Sequence, residues 1–360
     1  MRAIAQCRTA ALGGHVEVCE ACGTEQSSYN SCRTRHCPKC QGAARAKWLA
    51  AEHSLLLPVP YFHVVFPLPH PLNSLLRVNH RALYSLLVQA AAQTLREFAR
   101  APQHLGAELG ITAVLHTGGQ TLPEHIHVHG RVTGGGLSAA GTQWQPRPPR
   151  FLFAVQALSQ VLRGKYLAGL RRLRRHQRLR FVGESAARAA DEAWAAFRTQ
   201  LQPTAWVVYA KPPWGGPEQG LKYLSRYPHR VAISNQRLVF VGDGLVRFRS
   251  KDYAAGGSPK VMELPAADFR RRFLLHVVPP RFVRIRHCGL LATRARQEKL
   301  ARGRQLLAVV AAAATSLLPT KNRETPPASA ETAASALCPA CGGGPRRVTA
   351  LVAPQRGILP

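Results

Sequence analysis

The chain has 360 residues, of which 49 are Lys or Arg and 18 are Asp or Glu, so its formal net charge is +31 at pH 7. This length exceeds what one hydrophobic core usually fills, and we expect two or three domains. Because 46% of the residues are hydrophobic, a disordered basic tail is excluded, and the charge indicates a folded protein that binds nucleic acid. The longest mostly apolar run, residues 306–318, is too short to span a bilayer and predicts no membrane contact. The first residues lack an apolar signal core, which predicts a cytoplasmic protein.

The N-terminal segment is rich in cysteine and has little apolar periodicity. Cys19 and Cys22, and Cys37 and Cys40, form two CxxC pairs separated by fourteen residues, a spacing typical of a closed tetrahedral zinc site. In a reducing compartment such cysteines are expected to bind zinc rather than to form disulfides. A second zinc, or a different set of four ligands, is also compatible with the sequence, because further donors lie inside or beside the segment: Cys7, His15, Cys32 and His36.

The rest of the chain alternates between helical and strand-like patterns. Helices are predicted at about 43–53, 75–98, 154–173, 218–227, 268–276 and 292–318. Strands are predicted at 61–66, 111–116, 125–132, 206–210, 230–234, 238–241 and 246–248. A surface loop is predicted between Gly134 and Pro149, and residues 319–337, rich in Pro, Ala, Ser and Thr, predict a flexible linker. We therefore expect a zinc-binding domain at 1–50, a large domain at 51–290, a helical extension at 291–318 and a flexible tail with a CxxC motif at 319–360.

The predicted strand at 125–132 contains His125, His127 and His129 in alternation with apolar residues. Successive side chains of a strand point to opposite faces, so the three imidazoles share one face at about 7 Å spacing along the backbone. Neutral imidazole nitrogens at this spacing can ligate a divalent metal, which we favour over a merely solvent-exposed polar face. His116, on the preceding predicted strand, is a candidate for a further ligand or for a residue that supports one.

The predicted helix at 218–227 carries two tyrosines. Tyr223 and Tyr227 are four residues apart, so both hydroxyls lie on one helical face and could address one site. A phenol with a pKa near ~10 is a poor nucleophile at neutral pH, and a metal or cationic neighbours are needed to favour its attack on a phosphate. Gln219 lies on the same face and could complete the metal site, with Glu218 as a rival. Paired tyrosines also occur in packed cores, so the pair alone is a weak signal.

Cationic residues near these motifs are candidates for contact with DNA phosphates. The segment 171–180 is mostly cationic, and a solvated helix end explains it as well as DNA contact does. The individual residues that we assign to DNA contact are Lys211, Lys222, Arg226, Arg230, Arg33 and Arg35.

Cys338 and Cys341 form only half of a metal site. This half could complete a zinc site with residues of the head, bind across a dimer, or be a remnant, and the oligomeric state is open. Cys288 is predicted to be a buried thiol.

With the cysteine-rich head, the histidine strand and the tyrosine helix in this order, the sequence resembles the HUH-type two-tyrosine transposases of bacterial insertion sequences, the IS-ninety-one type. The resemblance extends through most of the chain and is carried by residues 7–15, 29–41, 60–66, 113–117, 127–129, 206–213, 223–227 and 229–234. The family often has proline, tryptophan and threonine where this chain has Ile126, Gly118 and Pro228, and none of these differences removes a ligand or a nucleophile. Members usually carry a longer segment ahead of the zinc region, so we expect a shortened copy.

The resemblance implies an α+β fold in which an HUH-type antiparallel sheet flanked by helices, the catalytic domain, follows a small zinc-binding domain. The histidine strand is expected at the centre of the sheet, with the tyrosine helix facing it. His127 and His129 match the HUH pair, and Tyr223 and Tyr227 match the nucleophiles. The implied activity is rolling-circle transposition, in which a tyrosine attacks single-stranded DNA, keeps a 5′-phosphotyrosine link and leaves a 3′-hydroxyl. The expected cofactors are structural Zn²⁺ and catalytic Mg²⁺ or Mn²⁺, with His125 and Gln219 as further candidate ligands of the catalytic ion.

Two other classes of protein compete with this interpretation. A non-catalytic zinc-ribbon protein would bind DNA in a salt-sensitive manner and form no covalent adduct. A metallohydrolase would use the histidines and water, and would cut without a covalent intermediate. Tyrosine recombinases that work without metal are disfavoured, because they leave the histidine strand unexplained.

Overall fold

The computed structural model divides into two compact units, residues 1–44 together with 316–360, and residues 45–315. The structure describes residues 2–34, 36–37, 39–119, 121–148, 152–212, 216–225, 232–233, 235–252, 256–315, 338–343 and 345–354. The helices are α1 Arg2–Ala5, α2 Gln41–His53, α3 Asn73–Val78, α4 His80–Arg100, α5 Val155–Arg175, α6 Asp191–Leu201, α7 Pro217–Leu224, α8 Ala266–Leu274 and α9 Arg296–Thr315. The strands are β1 Gly14–Cys19, β2 Glu25–Tyr29, β3 Tyr61–Pro67, β4 Ala107–Gly118, β5 Glu124–Ser138, β6 Trp144–Pro146, β7 Tyr209–Lys211, β8 Leu238–Gly242, β9 Leu245–Asp252, β10 Ser258–Pro265, β11 Ile285–Gly289 and β12 Arg346–Val352. The expected α+β fold with antiparallel sheets is confirmed.

The first unit is built on a three-stranded antiparallel sheet with the order β12-β1-β2. Gly14 of β1 lies opposite Tyr29 of β2 on one side and opposite Val352 of β12 on the other. The three buried apolar clusters of the described residues all lie in the second unit, so the described part of the first unit has no such cluster. This unit therefore needs another source of folding free energy.

The domain boundaries expected from the sequence differ from this division. The first unit ends at Ala44, within α2, and it includes β12, which the sequence analysis assigns to a flexible tail. Strand pairing across more than 300 residues leaves no local pattern, which is why composition alone misassigns 346–352. The predicted linker at 319–337 lies outside the described residues.

The second unit is organised around a central sheet with the order β11-β4-β5-β3-β7, in which β6 pairs with the end of β5. The histidine strand β5 lies between β4 and β3, so its central position is as expected. His127 lies opposite His116 of β4, and His129 lies opposite Val65 of β3 and Val114 of β4. This register brings side chains from three strands to one place.

One face of the central sheet is apolar and packs against α4, which in turn packs against α5. Val64 of β3 and Val128 of β5 point to this face and are buried with Leu87 of α4 and Leu162 of α5. Apolar residues recur every three or four positions along α4, which gives that helix one buried side. Burying each such side chain contributes about 1.5–3 kcal/mol. This core holds the opposite face of the sheet, which carries the histidines, in a fixed geometry.

The long helix predicted over 75–98 is interrupted at Asn79, which has φ −130° and ψ 30°. The Asn79 side-chain amide donates hydrogen bonds to the carbonyls of Leu75 and Arg180, and its side-chain oxygen accepts one from the Arg180 backbone N–H. These tertiary bonds separate α3 from α4. Helix α6, which the sequence analysis omits, is amphipathic and buries Trp194, Phe197 and Leu201.

A smaller antiparallel sheet, with the order β10-β9-β8, packs with α8 around Phe248. Its apolar cluster includes Leu122, from the turn between β4 and β5. The predicted strand at 230–234 lies outside the described residues except for Ala232 and Ile233. Among the described helices, none combines the length and the apolar character needed to cross a membrane.

Candidate metal and nucleophile site

Three histidine side chains converge on the polar face of the central sheet. His127 Nε2 lies 2.9 Å from His129 Nε2 and 3.2 Å from His116 Nδ1. One nitrogen from each of the three rings lies within 4.8 Å of the others. Two imidazole nitrogens bound to one cation at about 2.1 Å would lie roughly 3.0–3.4 Å apart, depending on the coordination angle. The three-histidine group therefore fits a divalent cation.

The protonation of these rings also suits a metal. His127 Nδ1 lies 2.7 Å from the backbone carbonyl oxygen of His125, so Nδ1 carries the ring hydrogen and donates it, which leaves a lone pair on Nε2. Burial, with smaller effects from neighbouring histidines, lowers the pKa of His127 to about 3 and holds the pKa values of His116 and His129 well below their usual range. All three rings are therefore neutral at pH 7 and can ligate without first losing a proton.

The third member of the group is His116, which the sequence offers as a candidate for a further ligand, and not His125 or Gln219, which are predicted as ligands of the catalytic ion. The His125 side chain is partly buried, with its ring centroid 5.7 Å from that of His70 and 4.9 Å from that of His127. Its backbone carbonyl is the acceptor that orients His127. Gln219 is exposed and lines a small cavity with His53 and Leu57. Neither residue belongs to the three-histidine group.

His63 of β3 joins the histidines to the tyrosine helix. Its Nε2 lies 2.8 Å from His129 Nδ1, and its ring meets the Tyr223 ring edge to face with centroids 5.4 Å apart. When His129 donates its Nδ1–H to His63 Nε2, its own Nε2 keeps the lone pair that can bind a cation. Burial, and then the charge of Lys211, lower the pKa of His63 to about 4.

His63 is not among the site residues predicted from the sequence. One signal was present, because His63 is the polar residue in an otherwise apolar strand at 61–66. What the sequence does not provide is the register that sets His63 opposite Arg131, two residues from His129.

Helix α7 positions Tyr223 next to β3 and β5. The helix begins at Pro217, a residue whose fixed φ suits the first turn, and ends at Leu224. Beyond it, the Ser225 hydroxyl accepts a hydrogen bond from Arg45 Nε of α2 at 3.1 Å. Tyr223 is partly buried, and Tyr227, predicted to lie on the same helical face, is outside the described residues.

A buried ion pair lies on the same sheet face as the histidines. Glu52 of α2 accepts a hydrogen bond from Arg131 of β5 at 2.8 Å and lies 2.6 Å from His287 of β11. The Arg131 and Glu52 side chains are each 3% exposed. Because water hardly reaches either charge, each is stabilised mainly by the other. The Arg131 guanidinium also stacks over the Tyr61 ring, at 5.0 Å from its centroid. This pair ties α2 to the histidine face.

The cationic residues expected to contact DNA differ in their surroundings. Lys211 and Lys222 are exposed in the second unit, and Arg33 is exposed in the first. In the cationic segment at 171–180, Arg174 instead bonds to Asp191 and stacks on Phe181. The other expected DNA contacts, Arg35, Arg226 and Arg230, lie outside the described residues.

The cysteines form two groups of four, and the expected grouping of Cys19, Cys22, Cys37 and Cys40 in one site is wrong. Cys37 and Cys40 join Cys7 and Cys32, whereas Cys19 and Cys22 join Cys338 and Cys341. In the first group, Cys40 Sγ lies 3.4 Å from Cys7 Sγ and 3.7 Å from Cys32 Sγ. The pairing of β1 with β12 brings Cys338 and Cys341 beside Cys19 and Cys22. The local spacing of the cysteines does not show this. Cys288 is partly buried, as a thiol outside both groups.

Comparison with known proteins identifies the family. A family model described as "Transposase zinc-binding domain" matches residues 1–68, and one described as "Putative transposase" matches residues 110–299. The chain is 50% identical over 307 residues to "Putative transposase y4qJ" of Sinorhizobium fredii, and the aligned region covers 85% of this chain and 77% of that protein. It is 29% identical over 294 residues to "Transposase for insertion sequence element IS801" of Pseudomonas savastanoi pv. phaseolicola, and the aligned region covers 80% of this chain and 68% of that protein. No solved structure matches the chain.

The two family models match different parts of the chain. The first match identifies the cysteine-rich head as a zinc-binding domain, and thiolate groups of four are the donor set that structural zinc prefers. The second match includes β4, β5 and α7, which carry the histidines and Tyr223. The chain therefore belongs to the two-tyrosine transposase family of bacterial insertion sequences, the IS-ninety-one type.

Proposed function

We propose that this transposase cleaves and rejoins single-stranded DNA during rolling-circle transposition, with Tyr223 as a nucleophile and a 5′-phosphotyrosine as the intermediate. The observation that carries the proposal is the contact chain from the tyrosine to the histidines. Tyr223 packs against His63, and His63 lies 2.8 Å from His129 of the three-histidine group. A phosphate held at the histidines would therefore lie close to the phenol.

We propose that His116, His127 and His129 hold the catalytic divalent cation. When bound, such a cation acts as a Lewis acid that draws charge from a phosphate oxygen. Three neutral imidazoles suit a first-row transition metal better than they suit Mg²⁺, which prefers carboxylate and water oxygens. Of the two expected ions, the donor set therefore favours Mn²⁺.

The reaction exchanges one phosphodiester for another. The Tyr223 hydroxyl oxygen bonds to the phosphorus while the bond from phosphorus to the 3′ oxygen breaks. The phenol loses its proton, and the departing 3′ oxygen gains one and becomes a 3′-hydroxyl. Because one phosphate ester replaces another, a 3′-hydroxyl can later attack the phosphotyrosine and rejoin the strand. Tyr227 is proposed as the second nucleophile on sequence grounds.

We propose that exposed cations hold the DNA backbone near this site. Lys211 lies on β7, opposite His63 of β3, and Lys222 precedes Tyr223 on α7. Ammonium groups at these places neutralise phosphates without reading bases. The remaining sequence-based candidates for phosphate contact are Arg226, Arg230, Arg33 and Arg35.

A covalent adduct assay tests the proposed chemistry. Purified protein is incubated with a labelled single-stranded oligonucleotide and Mn²⁺, and adducts are separated on a denaturing gel. We expect an adduct with the wild type, a loss of at least tenfold with Tyr223→Phe in single-turnover reactions, and no adduct with Tyr223→Phe/Tyr227→Phe. Tyr209→Phe, at an exposed tyrosine of β7, is the matched control and should retain the adduct.

Two results would contradict the proposal in different ways. Cut DNA without any adduct would indicate hydrolysis by water, as in a metallohydrolase. An adduct that persists in the double variant would exclude both tyrosines as nucleophiles.

A further inference from the structure

The second cysteine group joins two parts of the chain that are far apart in sequence. Cys22 Sγ lies 3.7 Å from Cys338 Sγ, and Cys19 Sγ lies 3.8 Å from Cys341 Sγ. Four sulfurs bound to zinc at roughly 2.3 Å would lie about 3.8 Å apart along the edges of a tetrahedron. A disulfide would bring two sulfurs to about 2.0 Å. The spacing therefore matches a tetrathiolate metal site and not a pair of disulfides.

The two halves of this group have the same local backbone. Each is a CxxC motif followed by a glycine, Gly23 in the first and Gly342 in the second, with φ of 69° and 68°. In each, the glycine N–H donates to the carbonyl of the first cysteine, at 2.9 Å from Gly23 to Cys19 and at 2.8 Å from Gly342 to Cys338. This tight turn brings both sulfurs of each motif to one side. Two equivalent turns facing each other supply four sulfurs in the arrangement that zinc requires.

Apart from the cysteines, little apolar burial holds the C-terminal strand in place. Strand β12 pairs with β1 from Cys19 opposite Arg346 to Gly14 opposite Val352, but none of its residues is buried. Val348 is 51% exposed and Leu351 is 86% exposed. Strand hydrogen bonds alone rarely hold a solvent-exposed edge strand, because water competes for the same groups. Cys338, in contrast, is 2% exposed.

We propose that Cys19, Cys22, Cys338 and Cys341 bind a second structural zinc ion that fastens strand β12 onto β1. The match to the zinc-binding domain ends at residue 68, so this ion would use two ligands from outside that domain. The group of Cys7, Cys32, Cys37 and Cys40 holds the other structural zinc, and each chain binds two structural zinc ions in total. The inference does not depend on the proposed strand-transfer chemistry.

Zinc stoichiometry of the full chain tests the inference. All measurements use a His127→Ala/His129→Ala background, so that the three-histidine group contributes no zinc. After removal of unbound zinc by gel filtration, elemental analysis should give two zinc ions per chain for this parent and one for the added Cys338→Ser/Cys341→Ser pair. Cys288→Ala, at a cysteine outside both groups, is the matched control and should keep two. One zinc ion in the parent, or two in the Ser pair, would overturn the inference.

Hydrogen exchange then tests whether the ion fastens the strand. In the parent, backbone amides of 346–352 should be protected with zinc, should exchange at least tenfold faster after treatment with a chelator, and should regain protection when zinc is restored. The Ser pair should show the fast exchange at 346–352 even with zinc, while 61–67 and 124–138 keep their protection and show that the second unit is folded. Equal protection of 346–352 in the parent and in the Ser pair would refute the fastening role.

Discussion

His127 directs its Nε2 lone pair toward His116 and His129 because its Nδ1–H bonds to the His125 carbonyl. Strand alternation accounts for His127 and His129 sharing a face, and this much follows from the sequence. The sequence also offers His116 as a candidate further ligand, but the register of β4 with β5 is needed to place it opposite His127. His63 does not follow from the sequence, because its position depends on the register of β3 with β5, which are distant in sequence. Gln219 was expected from helical spacing alone, and the tertiary placement of α7 leaves it exposed.

Substitution of single histidines tests which residue is the third metal ligand. We expect His116→Ala to raise the dissociation constant for Mn²⁺ by at least about tenfold, since losing even a residue that supports a ligand commonly costs 10- to 100-fold. His125→Ala is the matched control, because it keeps the backbone carbonyl that orients His127, and its dissociation constant should change by less than about threefold. Isothermal titration calorimetry measures both. A larger loss in His125→Ala than in His116→Ala would reinstate His125 as the ligand.

Among the elements of the central sheet, periodicity predicts the inner strands β3, β4 and β5, but neither their full lengths nor the edge strand β11. Strands β4 and β5 are both longer than predicted. The end of β5 pairs with β6, and Leu137 of β5 is buried in the same apolar cluster as Leu300 of α9. Strand β11 is absent from the sequence-based prediction. Its last residue, Gly289, has φ 63°, and a Cβ there would lie 1.8 Å from the Leu109 carbonyl oxygen. This close approach of the two backbones allows β11 to pair with β4.

Two glycine substitutions distinguish the effect of this contact on stability from the effect of a positive φ alone. Gly183 has a similar φ of 55°, but a Cβ there would meet nothing within 4 Å. Gly183→Ala should therefore cost only the strain of a left-handed residue, about 1–2 kcal/mol. Gly289→Ala should cost about 2–5 kcal/mol of unfolding free energy, because the backbone of β4 must also move.

Urea unfolding followed by tryptophan fluorescence measures this difference. All five tryptophans lie within 45–315, so the signal reports on the second unit alone. Equal losses in the two variants would mean that the contact of Gly289 with Leu109 does not restrict β11.

For the whole molecule, 49 Lys and Arg against 18 Asp and Glu leave a net charge of +31, so cations remain in excess even if every carboxylate pairs with one. Many carboxylates of the described residues pair with Arg, Lys or His, as in Glu52 with Arg131 and Glu124 with Arg77. The excess cations remain for a polyanion, and composition was enough to predict that partner class. Composition did not predict that the C-terminal segment belongs to the first unit, since that depends on β1 pairing with β12.

The salt dependence of DNA binding tests the proposed phosphate contacts. Each ammonium that neutralises a phosphate of single-stranded DNA contributes about 0.7 to the slope of log affinity against log salt concentration. The variant Lys211→Gln/Lys222→Gln should therefore lower that slope by about 1.4, while adduct formation at saturating DNA remains within about threefold of the wild type. Fluorescence anisotropy over a range of salt concentrations measures the slope. An unchanged slope would remove both lysines from the DNA-binding surface.

Mass spectrometry of the trapped protein–DNA adduct, after protease and nuclease digestion, tests directly whether Tyr223 is the metal-dependent nucleophile. We expect a peptide containing Tyr223 to carry a 5′-phosphorylated nucleotide, and this modified peptide to disappear when Mn²⁺ is chelated and in His127→Ala. A modification at a residue other than Tyr223 or Tyr227, or one that forms equally well without a divalent metal, would contradict this expectation.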